Sequence, residues 1–222
     1  MNKKELHKMR KEYSPKPLDI YNLSPDPFTQ FGFWFSEAEE QLIANPSELS
    51  EANAMVLSTA TKDGIPSSRM VLLKCFSPDG FVFFTNYNSR KGEEIDENKM
   101  VSLLFFWHNS MRQVRIEGAA TKISMTESDL YFNSRPRESQ ASSALSLQSK
   151  TLDNKQKFDS DVKHLAATGK PIKRPENWGG YVVTPYYFEF WQGGIGRSHD
   201  RIIYSIDTKS SEKHWNMLRL YP

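Results

Sequence analysis

Cysteine is almost missing from this chain. Cys75 is the only one in 222 residues, which excludes an internal disulfide and any multi-cysteine metal site. Histidine is sparse too, and His7, His108, His164, His199 and His214 show none of the short spacings that hold a metal ion. No apolar run approaches the roughly 20 residues needed to span a bilayer; the longest runs from Val101 to Trp107. Met1 to His7 is charged and has no signal-type apolar region. A net charge of +2 provides no global basic footprint for nucleic acid. The phosphate-loop pattern Gly-x-x-x-x-Gly-Lys-Ser/Thr, a Gly-x-Gly-x-x-Gly after a strand, and a Gly-x-Ser-x-Gly elbow are all lacking. These absences lead us to expect a soluble, cytoplasmic protein with neither a membrane nor a nucleic-acid partner.

Aromatic residues are plentiful, at 13% against a hydrophobic share of 38%. The length suits one domain, which can bury roughly 70% of its unfolded surface without disulfides or metals. Glu5 to Tyr13 reads as a short polar helix, ended by Ser14-Pro15-Lys16-Pro17. Asp26 and Pro27 suit the cap and first turn of a helix running to about Ala44. Its Phe28, Phe31, Trp34 and Phe35 recur at helical spacing, as core residues do. Strands are then expected over Met55 to Thr61, Ser68 to Phe76, Phe81 to Thr85, Met100 to His108 and Arg112 to Ile123, the last bending at Gly118. Ser89 to Asn98 reads as a short helix capped by Ser89. Helices follow from Thr126, broken at Pro136 and resuming towards Leu147, and over Thr151 to Ala167. Strands return at Gly180 to Thr184, Tyr186 to Gln192, Arg201 to Asp207 and Lys213 to Leu220. Hairpins without a strand–helix–strand rhythm argue for an α+β, mainly antiparallel chain, a closed or split β-barrel with peripheral helices.

Four constellations could carry chemistry. Arg69 and Lys74 close off one apolar strand five residues apart, so a regular strand would send them to opposite faces. They could serve two anions, or simply be solvated strand ends. Phe84-Thr85-Asn86 ends a strand shortly before Ser89-Arg90-Lys91 opens a helix, whose unpaired N–H groups favour phosphate. Cations in that first turn oppose the macrodipole preference for acids, a misfit that an anion site would explain. Tyr131, Arg135 and Ser139 recur every four residues and, on an unbroken helix, would present a phenol, a guanidinium and a hydroxyl along one face. Pro136 interrupts that face. Finally, glycines at 193, 194 and 196 precede Arg197, His199 and Arg201, which in an extended segment would share a face; a glycine turn into an edge strand with solvated charges would look the same.

Seven blocks in order resemble the pyridoxine/pyridoxamine 5′-phosphate oxidase family: Arg69 to Lys74; Thr85-Asn86 with Ser89-Arg90-Lys91; Arg112-Gln113-Val114; Tyr131-Phe132 with Ser134 to Gln140; Gln148-Ser149; Phe190 to Gly194; and Arg197 with His199-Asp200-Arg201. The likeness runs from about Met9 to Pro222. It implies an FMN-binding split-barrel domain over residues 26–222, with residues 1–25 as an N-terminal segment or lid, in a homodimer holding FMN at the subunit interface. It assigns FMN contacts to Arg69, Met70, Val71, Leu72, Leu73, Lys74, Phe84, Thr85, Arg90, Lys91, Gln113, Gln148, Ser149, Trp191 and Arg201. Substrate contacts fall to Arg10, Lys11, Glu12 and Tyr13 of the N-terminal segment, to Lys74, Tyr131, Arg135 and Ser139 at the phosphate, and to Arg197, Ser198 and His199. Arg197 and His199 are the implied catalytic pair. The chain departs from the family at Phe84, where Tyr is common, at Ile195-Gly196, usually a more polar pair, and at Tyr221, usually a small residue.

The activity implied is oxidation of pyridoxamine and pyridoxine 5′-phosphates to pyridoxal 5′-phosphate, with O2 reduced to hydrogen peroxide. Two other readings share many of these features. A split-barrel flavoenzyme acting on another substrate would have little use for the Tyr131, Arg135 and Ser139 trio. A non-catalytic flavin or pyridoxal phosphate carrier would have little use for Arg197 and His199.

Overall fold

A computed structural model describes residues 18–44, 51–206 and 214–222. The helix expected at Glu5 to Tyr13 and the substrate-binding Arg10, Lys11, Glu12 and Tyr13 lie outside the described residues. Five α-helices are present among them: α1 (Pro27–Ala44), α2 (Arg90–Glu97), α3 (Met125–Ser134), α4 (Arg137–Leu145) and α5 (Lys155–Ala167). Nine strands are β1 (Ala54–Ala60), β2 (Pro66–Leu72), β3 (Cys75–Ser77), β4 (Gly80–Asn86), β5 (Met100–Trp107), β6 (Arg112–Lys122), β7 (Trp178–Gln192), β8 (Asp200–Ile206) and β9 (Trp215–Leu220). They pair in the order β2-β1-β5-β6-β7-β4-β3, and β8 joins β7 to β9. The β1–β2, β3–β4, β4–β7, β7–β8 and β8–β9 ladders are all antiparallel. No described helix is long and apolar enough to cross a membrane.

The chain divides into two compact units. The first takes in α1, residues 104–116 and everything from Tyr186 onward. Asp26 caps α1 as expected, its carboxylate accepting the Thr29 N–H at 2.8 Å. The aromatic stripe of α1 is core. Phe31 meets Phe105 edge-on at 5.0 Å, Trp34 meets Phe190 at 5.2 Å and Phe28 meets Phe188 at 5.4 Å. Edge-to-face pairs at these separations add to the stabilisation from burial itself.

The second unit holds residues 53–103 and 117–185. Its sheet buries Met55, Leu57, Phe81, Phe83, Leu103 and Tyr181. Phe132, Ala141, Ile172 and Trp178 form a further cluster between helices and sheet. Gly118 sits where β6 passes so close to β7 that a Cβ would lie 2.5 Å from the Thr184 carbonyl oxygen, so only glycine fits. Two expected strands, split at Pro185, are instead the single β7. Its ladder with β4 ends at Val183 and its ladder with β8 begins at Tyr187, so Pro185 removes no N–H from either.

Candidate active site

Irregular backbone builds the site. The strand expected from Ser68 to Phe76 stops at Leu72, and Leu73 and Lys74 form an irregular link before β3. There the Leu73 N–H bonds Asn53 O and the Lys74 N–H bonds Val82 O, each at 2.8 Å. The alternation of faces therefore fails. Arg69 and Lys74, expected on opposite sides, line the same cavity. A second break brings in the helical trio. Helix α3 starts with a Ser124/Glu127 capping box and ends at Ser134, where Arg135 is extended (φ −77°, ψ 153°). After Pro136, α4 begins. Tyr131, Arg135 and Ser139 thus share no single helix face, yet the kink turns all three into the cavity.

This cavity, of about 710 Å³, lies within the second unit. Its size suits small organic ligands, which occupy pockets of about 300–1,000 Å³. Arg69, Lys74, Lys91 and Arg135 contribute four cations, and among the described residues no carboxylate lines it. Thr85, Tyr131 and Ser139 supply hydroxyls, and Gln148 an amide. Met70, Val71, Leu72 and Phe84 complete the predicted lining. Phe84 stacks on Tyr131 with ring centres 3.8 Å apart and lies nearly parallel to Trp178, so its contacts are apolar, as its missing hydroxyl implied.

A buried acid behind the wall organises the cations. Glu94 on α2 is 3% exposed. It accepts from Ser67 Oγ at 2.6 Å, Arg90 Nε at 2.8 Å and Arg69 Nη2 at 3.2 Å, and also from Thr59. Burial opposes its ionisation, but these hydrogen bonds and the Arg69 charge outweigh that and hold its pKa at about 2. Lys91 goes the other way. Burial, reinforced by the neighbouring Arg69 charge, lowers it to about 8 despite Glu94. Its Nζ donates to Ser89 Oγ at 3.2 Å and to Gln148 Oε1 at 3.3 Å, and Thr85 Oγ1 also reaches Gln148 Oε1, at 3.3 Å. Ser89 holds the N-cap position without a side-chain cap; its hydroxyl donates back to Asn86 O at 2.6 Å. Burial lowers the Arg135 pKa as well. Its guanidinium lies 4.7 Å from the Trp178 ring centre and donates to Ser143 Oγ at 2.8 Å.

Some predicted residues do not line the cavity. Leu73 is buried, Arg90 is turned to Glu94, and Ser149 adopts a left-handed conformation at φ 72°. Gln113, Trp191, Arg197, Ser198, His199 and Arg201 belong to the first unit. There the expected shared face of Arg197, His199 and Arg201 is absent, because Ile195–Arg197 forms a tight turn and β8 starts only at Asp200. Gly196 (φ 59°) and Arg197 (φ 66°) are both left-handed. For arginine that conformation is strained, a condition common at functional sites. His199 Nδ1 accepts the Gly194 N–H at 3.1 Å, which leaves the imidazole proton on Nε2. The His199 and Trp191 rings are 4.8 Å apart. Arg201 is clamped on the buried Glu189, through Nε at 2.8 Å and Nη2 at 3.1 Å, and Arg115 reaches the same carboxylate at 2.7 Å.

Glu94, Trp178 and Ser143 escaped the sequence reading. Only Glu94 left a trace there, as the fourth residue after Arg90, the spacing of a helical ion pair.

Comparison with known proteins bears on both fold and chemistry. The structure superposes on PhzG from Burkholderia lata 383, solved with tetrahydrophenazine-1-carboxylic acid, with a TM-score of 0.84 at 29% identity, covering 95% of this chain and all of that one. A pyridoxamine 5′-phosphate oxidase-related, FMN binding protein from Nostoc punctiforme gives a TM-score of 0.70 at 15% identity, covering 90% and 100%, which bears on fold alone. The class is therefore the α+β split barrel. Residues 44–169 match the family described as pyridoxamine 5′-phosphate oxidase, and residues 178–222 match the pyridoxine 5′-phosphate oxidase C-terminal dimerisation region. The Flavobacterium johnsoniae pyridoxine/pyridoxamine 5′-phosphate oxidase is 46% identical, covering 97% of this chain and 98% of its own. The Rubrobacter xylanophilus enzyme of the same name is 44% identical over 99% and 98%. The chain belongs to the pyridoxine/pyridoxamine 5′-phosphate oxidase family, and with it to vitamin B6 biosynthesis and salvage.

Proposed function

We propose that this chain oxidises pyridoxamine 5′-phosphate and pyridoxine 5′-phosphate to pyridoxal 5′-phosphate, with FMN as cofactor, as a cytoplasmic homodimer holding FMN at the subunit interface. The observation that carries this reading is the cavity itself, with four cations and, among the described residues, no lining acid. Phosphate monoesters carry about −1.5 to −2 charge each, so such a wall can balance two of them. The depressed pKa of Lys91 fits the same picture: burial lowers it and the neighbouring Arg69 charge adds to that, with Glu94 offsetting only part. The donor set therefore fits a phosphate-bearing cofactor together with a phosphate-bearing substrate.

Bound FMN would supply the two-electron redox chemistry that oxidises the substrate at C4′ and reduces O2 to hydrogen peroxide. Arg69 and Lys91 would hold the cofactor ester, helped by Thr85 and Gln148. Lys74, Tyr131, Arg135 and Ser139 would hold the substrate ester. Arg197 would orient the pyridine ring and stabilise negative charge developing there, and His199 would keep its proton at Nε2. The amine substrate leaves as an imine, which water hydrolyses to the aldehyde and ammonia; the alcohol gives the aldehyde directly. Anchoring both esters limits the relative motion of the reactants, an effect that can remove several kcal/mol from a barrier. Arg10, Lys11, Glu12 and Tyr13 are assigned to the substrate by resemblance alone.

Oxygen uptake tests the reading. Purified protein should consume O2 with pyridoxamine 5′-phosphate and form pyridoxal 5′-phosphate and peroxide, while unphosphorylated pyridoxamine reacts poorly. Equal rates with both amines would refute the assignment of the cavity to a phosphorylated substrate.

A further inference from the structure

We propose that Ser143 is a further phosphate-binding residue, one that donates its hydroxyl to the substrate ester while holding Arg135 in place. This rests on the proposed function, which supplies the anion. Ser143 lines the cavity with Ser139 and Arg135. Both serines lie on α4 four positions apart, so their side chains share one helix face. Among the described residues, the Ser143 hydroxyl has a single hydrogen-bond partner, the Arg135 Nη1 group that it accepts at 2.8 Å.

A serine hydroxyl offers two lone pairs and one proton. Arg135 occupies a lone pair, so the proton remains to be donated, and the surrounding cations favour an anion as its acceptor. Serine within a helix commonly turns back to the carbonyl four residues earlier. Ser143 instead faces the guanidinium. Arg135 is thereby fixed twice before any ligand arrives, by Ser143 at one N–H and by the Trp178 indole beneath its plane. Its other N–H groups keep their direction, so less ordering is needed on binding. One side chain thus contributes a donor and also preorganises the guanidinium of the substrate subsite.

The test uses full-length holoenzyme. A charge-assisted hydrogen bond is commonly worth about a factor of ten in affinity. Ser143→Ala should therefore raise KM for pyridoxamine 5′-phosphate about five- to tenfold, change kcat by less than about twofold and leave FMN retention intact. Ser143→Thr, which keeps the hydroxyl, should restore KM. Absorbance titration gives a readout separate from turnover: Ser143→Ala should weaken binding of pyridoxal 5′-phosphate and spare that of pyridoxal. Unchanged KM and product affinity in Ser143→Ala, or equal weakening of pyridoxal, would overturn the proposal while leaving the proposed function standing. Wild-type enzyme that fails to oxidise pyridoxamine 5′-phosphate would remove the proposed function and this inference with it.

Discussion

Lys91 carries the most distinct electrostatic signature at the residue scale. Its pKa sits at about 8 because it is buried beside Arg69. A bound phosphate dianion would favour the charged form and raise that pKa, so binding takes up a proton wherever Lys91 is neutral beforehand. FMN affinity should accordingly be flat between about pH 7 and pH 8 and fall above that, by up to about tenfold per pH unit. The ester is already dianionic there, since its second pKa is about 6, which leaves the lysine as the titrating group. Titrating FMN fluorescence at a series of pH values checks this, and Lys91→Arg should flatten the fall. Arg197 should behave differently. Arg197→Ala should lower kcat by at least about a hundredfold while FMN stays bound; undiminished turnover would take Arg197 out of the mechanism. The cations themselves were legible in the sequence: Arg69 and Lys74 at the ends of an apolar strand, Arg135 in the four-residue spacing with Tyr131 and Ser139, and Lys91 as a basic residue opposing the dipole in the first turn of α2. Their anchors were not. Glu94 sits behind the wall, and Trp178, 43 positions further along the chain, meets Arg135 only once the chain has folded back.

At the scale of elements, the site depends on where regular structure stops. Most strand and helix boundaries could be read to within a few residues from apolar periodicity, caps and turn residues. Parity arguments then failed wherever an element broke. Arg69 and Lys74 share a cavity because β2 ends between them. Tyr131, Arg135 and Ser139 converge through the kink at Pro136 rather than along one helix. The Arg197 segment coils where alternation required an extended strand. Spacing encodes a shared face only within one unbroken element; backbone hydrogen bonds from Asn53 and Val82 accompany the break after β2, and Pro136 makes the break between α3 and α4. The loop before Arg197 gives an element-level prediction. A Cβ on Gly194 would lie 1.9 Å from the Ser198 carbonyl oxygen. Gly194→Ala must therefore displace the turn that carries Arg197 and the Nδ1 contact of His199. We expect kcat to fall by at least about tenfold with the visible flavin spectrum preserved, measured on the same preparation.

For the molecule as a whole, the phosphate-type cavity and the Arg197–Arg201 segment belong to different compact units. The family's C-terminal dimerisation region matches residues 178–222, which include that segment. Two chains of 25.7 kDa should therefore sediment as one species of about twice that mass, and a monomeric enzyme with full activity would contradict the dimeric arrangement. The family was legible because seven short blocks occur in order across nearly the entire length, a coincidence no single block supplies. Association was not legible in composition, since an exposed aromatic surface looks alike on a monomer and at an interface.

A crystal structure of the protein with FMN and pyridoxal 5′-phosphate both bound tests the central claim most directly. It should show two phosphorus atoms in one cavity, the FMN ester against Arg69 and Lys91 and the product ester against Lys74, Arg135 and Ser139. A product phosphate seated away from Arg135 and Lys74, or a cofactor phosphate away from Lys91, would contradict the account.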